Sequence, residues 1–116
     1  MNNAPRVEIT ESLRFPKGKG KVVCPEYLDF IRGKSCLVST CRRPPPSDPD
    51  HLRARGSGSA KQNDFTAIPL CRMHHAMRHQ IGNEKFEERF MINLWREVFE
   101  LAVDFLIQKT DAEGRG

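Results

Sequence analysis

The sequence lacks any long apolar run. No stretch approaches the roughly 20 consecutive apolar residues that a membrane-spanning helix needs. The N-terminal segment MNNAPRVEITES also has no apolar centre of the kind found in secretory signals. We therefore expect a cytoplasmic protein with no membrane partner. In a reducing compartment, four cysteines mixed with histidines indicate bound metal rather than disulfides.

Apolar residues and histidines are both scarce. Apolar residues make up 38% of the 116 residues, and a chain of this length forms one domain with a limited core, to which a metal site often adds stability. The chain has four histidines: His51, His74, His75 and His79. All of them, with three of the four cysteines, lie between Cys36 and His79. This segment therefore carries the candidate functional residues.

Positive charge is concentrated in the front of the chain. The first 80 residues carry a net charge of +7 and the remainder carries −3, which together give the chain's +4. A cationic front with an acidic end favours a polyanionic partner. Charge alone fits a chance asymmetry of a small soluble protein equally well.

The chain divides into three parts. Residues 1–21, in which Lys17, Lys19 and Lys21 alternate with glycine, predict a flexible basic arm. Residues 22–92 form the predicted core. Residues 93–116 are predicted to form a C-terminal helix that packs on the core and ends in a short disordered tail.

Apolar periodicity and turn residues predict helices and short strands. Helices are expected over CPEYLDFIRGK and CRMHHAMRHQIG, the second ending at Gly82. The segments HLRAR and FTAIPL are predicted strands, joined by the glycine- and serine-rich loop GSGSAKQND. Asn83 and Asn93 are predicted N-caps of two further helices, KFEERF and LWREVFELAVDFLIQK. The fold class that follows is α+β.

The last predicted helix is apolar on more than one side. Its apolar residues are Leu94, Trp95, Val98, Phe99, Leu101, Ala102, Val103, Phe105, Leu106 and Ile107. Packing against the helix that contains Tyr27–Ile31 would bury one side, and a homodimer interface would cover another. Both alternatives remain open, so a monomer or a weak homodimer is expected.

Two ligand pairs have the spacing of a structural zinc site. Cys36 and Cys41 are separated by four residues, and Cys71 and His74 by two. Such spacings let one tight turn present two ligands to a tetrahedral ion. The alternative, buried free thiols, fits a proline- and arginine-rich segment poorly. Cys24 is more typical of a small core residue than of a ligand.

A second histidine pair indicates a second metal site. His75 and His79 are four residues apart, so they share one side of a helix, turned away from the side of the zinc pair. Asp50 is the expected carboxylate ligand. His51 follows it and points to the opposite face of an extended strand, where an imidazole can take a proton from water near neutral pH. Alternatively, His51 only hydrogen-bonds its own loop.

These motifs together resemble a known family. An Asp-His pair leading a strand, a glycine-rich loop, ND, and PLCRMHHAMRH opening a helix are similar to the HNH endonucleases of the ββα-metal class. The resemblance is to small phage and prophage HNH nucleases related to the recombination-enhancement nuclease, over residues 17–92. It implies a zinc-stabilised β-hairpin and helix with flanking N- and C-terminal helices. His74 stands where many relatives have cysteine, and a histidine there still binds zinc.

The resemblance also assigns residues. His51 matches the general base. The matched ligands of a catalytic Mg²⁺ or Mn²⁺ ion are Asp50, His75 and His79. The middle motif position falls on Asn63 or Asp64, either of which would position the base or join the metal shell.

The implied activity is metal-dependent endonucleolytic hydrolysis of double-stranded DNA, by nicking with low sequence specificity. The candidate DNA-binding residues are Arg42, Arg43, Arg53, Arg55, Arg72, Arg78, Lys17, Lys19 and Lys21. As a set they predict salt-sensitive binding, because phosphate contacts release counterions. The alternative is a zinc-stabilised nucleic-acid-binding module without catalysis. Such a module would need neither the Asp50–His51 pair nor the second histidine pair.

Overall fold

The computed structural model describes residues 22–53 and 63–115, and this part of the chain has an α+β fold. Its elements in order are α1 (Pro25–Arg32), β1 (Asp48–His51), a short 3₁₀ helix (Asp64–Thr66), β2 (Ala67–Leu70), α2 (Arg72–Ile81), α3 (Asn83–Phe90) and α4 (Leu94–Arg115). The predicted fold class is confirmed. None of the helices in these two ranges has the length and apolarity needed to cross a membrane.

The helix ends follow local signals. α1 starts at Pro25, whose fixed φ and missing N–H suit the first helical position. α2 ends at Gly82, as predicted, with φ of 87°, a conformation that glycine adopts without strain. Asn93 caps α4, because its Oδ1 accepts a hydrogen bond from the backbone N–H of Arg96 at 3.0 Å.

The hairpin lies earlier in the sequence than predicted. β1 pairs antiparallel with β2, and Asp50 faces Ile68 while His51 faces Ala67. The prediction over HLRAR was wrong for the strand start, because pairing begins at Asp48 and β1 ends at His51. A proline at position 49 does not prevent this pairing, since β1 is an edge strand of the two-stranded sheet in the described part of the chain. The predicted loop falls mostly on residues 54–62, outside the described residues.

Asn83 does not cap α3 as predicted. The helix begins at Asn83 itself, and Gly82 occupies the N-cap position. The Asn83 side chain instead accepts a hydrogen bond from Nη1 of Arg78. Since Gly82 already turns the chain between α2 and α3, the Asn83 amide is available to hold a side chain of the preceding helix.

The core has two parts. The first joins the turn that carries Cys36 and Cys41, called the cysteine turn below, and the hairpin and α2 to α3 and α4. Its buried residues are Cys36, Val38, Leu52, Ile68, Leu70, Cys71, Phe86 and Leu94. The second is aromatic and joins α1 to α4: the ring centroids of Tyr27 and Phe105 lie 5.0 Å apart, edge to face. The last helix thus packs against the helix of Tyr27 through this aromatic cluster.

The outer face of α4 is apolar and exposed. Phe99, Val103, Leu106 and Ile107 lie on it, each with more than a third of its surface accessible. We call these four residues the α4 apolar face. The helix runs to Arg115, beyond the predicted end at Lys109.

Candidate metal centres

Four predicted ligands converge on one point beside β2. Sγ of Cys71 lies 3.2 Å from Nδ1 of His74, and Sγ of Cys36 lies 3.6 Å from the same nitrogen. Sγ of Cys41 lies 3.9 Å from Sγ of Cys71. One ligand atom from each of the four residues lies within 4.8 Å of the others. This Cys3His cluster could hold a metal ion.

Backbone hydrogen bonds of the cysteine turn explain the convergence. The N–H group of Cys41 donates to the carbonyl of Val38 at 2.9 Å, which closes the turn. The N–H group of Leu37 donates to the carbonyl of Pro69 at 2.9 Å, which ties the turn to β2. Because β2 runs directly into Cys71, the two ligand pairs meet although they are distant in sequence.

Burial dominates the ionisation of the cluster. It raises the pKa of the Cys36 thiol. It lowers the pKa of His74, and the positive charges of Arg43 and Arg89 lower it further. Burial also acts to raise the pKa of Cys71, but hydrogen bonds, the largest from the backbone N–H of His74, leave it below its ordinary value. A neutral imidazole and a thiolate are the forms that bind metal.

Cys24 lies outside the Cys3His cluster, as predicted. It is half-buried and packs at the edge of the aromatic core beside Tyr27. Its backbone N–H donates to Oδ2 of Asp64 at 2.8 Å. The contribution of Cys24 to the candidate site is therefore made by its backbone.

The second predicted ligand set also comes together. Oδ1 of Asp50 lies 3.4 Å from Nε2 of His75 and 3.3 Å from Nε2 of His79. Asp50 is 1% exposed and lies on β1, whereas the two histidines stand one turn apart on α2 with ring centroids 4.9 Å apart. This Asp50 site could hold a metal ion. It faces away from the Cys3His cluster, so α2 serves both.

Arg78 is part of the Asp50 site. Its Nη2 donates to Oδ1 of Asp50 at 2.8 Å, and its Nε donates to Oδ2. The guanidinium is buried and also holds Asn83, so its donors point into the protein. A buried carboxylate needs such a partner, because an unpaired buried charge is strongly destabilising. The structure thus places this predicted DNA-binding residue on a ligand carboxylate.

Asp48 contacts the far side of a ligand ring. Its Oδ2 lies 3.2 Å from Nδ1 of His75, the nitrogen opposite the one that faces Asp50. Asp48 was not among the predicted site residues. The available signal was the alternation of a strand, since Asp48 and Asp50 are two residues apart and share one face of β1.

Asp64, not Asn63, contacts His51. Nε2 of His51 lies 2.9 Å from Oδ1 of Asp64. Oδ1 of Asn63 accepts from the backbone N–H of Phe65 at 2.8 Å and caps the 3₁₀ helix. The sequence left these two neighbours equivalent, because the difference depends on which side chain the turn directs at the hairpin.

A cleft of about 350 Å³ opens at the Asp50 site, lined by His51, Arg53, Arg78, His79 and Asn83. The exposed Arg72 is not part of the lining and contacts Asp48, with its Nε 3.7 Å from Oδ2 of that residue. Arg42 and Arg43 are exposed in the cysteine turn. The remaining predicted DNA-binding residues, Arg55, Lys17, Lys19 and Lys21, lie outside the described residues.

The chain belongs to the DUF968 family, which is described as a family of proteins of unknown function. The model of this family matches residues 8–105. The matched range includes both metal-ligand clusters and the hairpin. No curated protein and no solved structure matches the chain.

Proposed function

We propose that this chain is a metal-dependent HNH endonuclease, in which β1, β2 and α2 form the ββα-metal core and phosphodiester bonds of DNA are hydrolysed. The observation that carries the proposal is the position of Oδ1 of Asp50, which lies 3.4 Å from Nε2 of His75 and 3.3 Å from Nε2 of His79. The proposed base His51 directly follows Asp50 in the sequence. The order of these residues along the hairpin and helix is the one that the HNH resemblance implies.

The Asp50 site is proposed to hold a catalytic divalent ion, for which the HNH resemblance implies Mg²⁺ or Mn²⁺. One carboxylate and two imidazoles are three protein ligands, which leaves coordination positions for water and a phosphate oxygen. Asp50, His75 and His79 would hold the ion. When bound, the ion stabilises negative charge on the phosphate and on the leaving oxygen.

His51 is the proposed general base. Its Nε2 lies 2.9 Å from Oδ1 of Asp64, and an ionised carboxylate accepts hydrogen bonds, so Nε2 carries the ring proton. Nδ1 is then the basic nitrogen that takes a proton from the attacking water. Asp64 holds this tautomer and ring orientation, and is itself held by the backbone N–H of Cys24. The base thus faces the cleft in its reactive form.

The Cys3His cluster fits structural zinc. A tetrahedral site with Zn–S near 2.3 Å and Zn–N near 2.0 Å separates neighbouring sulfurs by about 3.8 Å and sulfur from nitrogen by about 3.5 Å. The Cys41–Cys71 sulfurs are 3.9 Å apart, and His74 Nδ1 lies 3.6 Å from Cys36 Sγ and 3.2 Å from Cys71 Sγ, so a bound ion requires only a small outward shift of the last pair. The four ligands are all supplied by the protein, which is typical of a structural rather than a catalytic site.

Double-stranded DNA is the proposed substrate. The first 80 residues carry +7, and Arg53 and Arg72 are exposed at the Asp50 site, where they can contact phosphates on either side of the scissile bond. Since phosphate contacts carry no sequence information, we propose low sequence specificity. One Asp50 site per chain makes a nick the product of a monomer.

One observation favours the alternative of a binding module without catalysis. Arg78 donates to both oxygens of Asp50, so this carboxylate is satisfied without a metal. A guanidinium in that position would make the Asp50 site a structural ion pair, and the arginines would then bind DNA without cutting it.

Supercoiled plasmid separates the two candidates. The purified chain, loaded with zinc, is incubated with plasmid and added Mg²⁺, Mn²⁺ or neither ion, and is also run in a gel-shift assay at low salt. Conversion to open circles with Mg²⁺ or Mn²⁺ supports the nuclease. A shift without cleavage under any of these conditions supports the binding module and contradicts the proposed activity.

A further inference from the structure

A second cavity, of about 710 Å³, adjoins the cleft of the Asp50 site. The two share Arg53 and Asn83 as lining residues, so they form neighbouring parts of one surface. The indole of Trp95 lines the second cavity and is 41% exposed. A large aromatic ring therefore stands near the proposed scissile phosphate without a role in the core.

The charges of this cavity balance. Arg53 and Lys85 contribute two positive charges, and Glu84 and Glu87 contribute two negative charges. With equal numbers of positive and negative side chains, this lining has no net charge that would favour a phosphate. The indole and the adjoining Ile81 instead suit a flat, uncharged group with polar edges, which the surrounding amide, carboxylate and ammonium groups can hydrogen-bond.

We propose that the cavity receives an unpaired nucleobase next to the scissile phosphate, stacked on Trp95. This inference rests on the proposed function and narrows its substrate to double-stranded DNA in which one base at the cut site is unpaired or extruded, as in a transient opening of supercoiled plasmid. Every nucleobase has a flat face, so stacking on an indole tolerates any sequence. A base inside a regular duplex is stacked on its neighbours and cannot enter such a cavity.

The probe is Trp95 itself, because it is the chain's single tryptophan and its fluorescence reports on this cavity alone. The full chain with the His51→Ala change, which prevents cleavage, is titrated at low salt with a short single-stranded oligonucleotide. A hairpin duplex of the same length is titrated in parallel. We expect saturable quenching by the single strand and much weaker quenching by the duplex.

Matched variants isolate the ring. Trp95→Ala should raise the dissociation constant for the single strand about tenfold, as the loss of one stacked base predicts, and Trp95→Phe should restore most of the affinity. Phe99→Ala is the control, because Phe99 lies one turn along the same helix, is 68% exposed and is not part of the cavity. Both residues are exposed enough for the fold to tolerate the changes.

Several results would overturn the inference. These are binding without quenching, equal quenching by the duplex, unchanged affinity of Trp95→Ala, or a Trp95 spectrum that changes with protein concentration alone because a second copy covers the ring. Quenching without cleavage in the wild-type plasmid assay would contradict the nuclease and leave the base site standing. Cleavage without quenching would support the nuclease and contradict the base site. If neither oligonucleotide binds at low salt, both the nuclease and the base site are contradicted.

Discussion

Nδ1 of His75 lies 3.2 Å from Oδ2 of Asp48, while Nε2 of the same ring lies 3.4 Å from Oδ1 of Asp50. The imidazole is thus held between two carboxylates of one strand face. A carboxylate on the outer nitrogen of a metal-binding histidine orients the ring and raises its basicity. If the Asp50 site holds the proposed ion, Asp48 positions His75 in it.

Asp48→Asn should weaken Mn²⁺ binding. The amide keeps the shape of the side chain but loses the charge that holds the His75 N–H, and loss of an outer partner of this kind costs roughly 10- to 100-fold in metal affinity. Calorimetric titration of Mn²⁺ into the zinc-loaded protein measures the change. Asp29→Asn is the control, since Asp29 is exposed on α1 and pairs only with Arg32 in the described structure. Equal affinity of the two variants would contradict the role of Asp48.

Cys36→Ala should abolish cooperative folding. Zinc binding to a site of this type contributes on the order of 10 kcal/mol to the folded state, which is comparable to the whole stability of a small domain. The variant should bind no zinc and melt without a sharp transition in circular dichroism. Cys24→Ala, which removes a thiol outside the cluster, should keep zinc and melt near the wild type. A cooperative, zinc-free Cys36→Ala protein would contradict the structural site.

Tyr27→Phe should extend stability to higher pH. Burial, and then the negative charge of Asp104, raises the pKa of Tyr27 to about 12, whereas an unfolded tyrosine ionises near 10. Between these two values the unfolded chain loses the tyrosine proton while the folded protein keeps it. The free energy of unfolding is therefore at its full value below pH about 10 and falls as the pH rises towards about 12. The Tyr27 hydroxyl has no hydrogen-bond partner among the described residues, so Phe should not destabilise the protein at pH 7.

The measurement for Tyr27 pairs two signals. Tyrosinate absorbance follows ionisation, and circular dichroism follows unfolding. Because this is the chain's single tyrosine, absorbance should stay low while the wild-type protein is folded below pH about 12 and should rise earlier only if the protein unfolds. Ionisation near pH 10 in a folded protein would show that the side chain is not buried as described.

Phe99→Asp should prevent self-association. We propose that the α4 apolar face pairs with that of a second copy, since an exposed apolar patch of this kind marks an interaction surface. Arg96 and Asp111 lie near its two ends, so an antiparallel pair brings opposite charges together. Sedimentation should show a weak wild-type dimer and at least a tenfold higher dissociation constant for the variant, about 1.4 kcal/mol. Met91→Asp, an exposed change off this face, is the control. A wild type that stays monomeric at all concentrations would contradict the proposal.

The ligand sets were predictable because they depend on short spacings. Two cysteine- and histidine-containing turns, and a histidine pair one helical turn apart, specify their own local geometry. Asp50 was predictable as well, because two histidines alone rarely hold a hard divalent ion and Asp50 is a carboxylate on the strand expected next to the helix. The end of α2 at Gly82 followed from the preference of glycine for positive φ.

What the sequence did not predict depends on tertiary placement. β1 starts earlier than its apolar pattern suggested, because DPDH is selected by pairing with β2 rather than by its own propensity. Arg78 was predicted to bind DNA and is instead buried on Asp50. The choice of Asp64 over Asn63 as the partner of His51 depends on a turn that only the folded chain defines.

The most direct test of the nuclease compares wild-type protein with His51→Ala on supercoiled plasmid in Mn²⁺. We predict that the wild type produces open circles and that the variant is at least about 100-fold slower, because it lacks the general base. Its zinc content and melting temperature should remain those of the wild type. Cleavage by His51→Ala at the wild-type rate would contradict the assignment of His51 and, with it, the proposed mechanism.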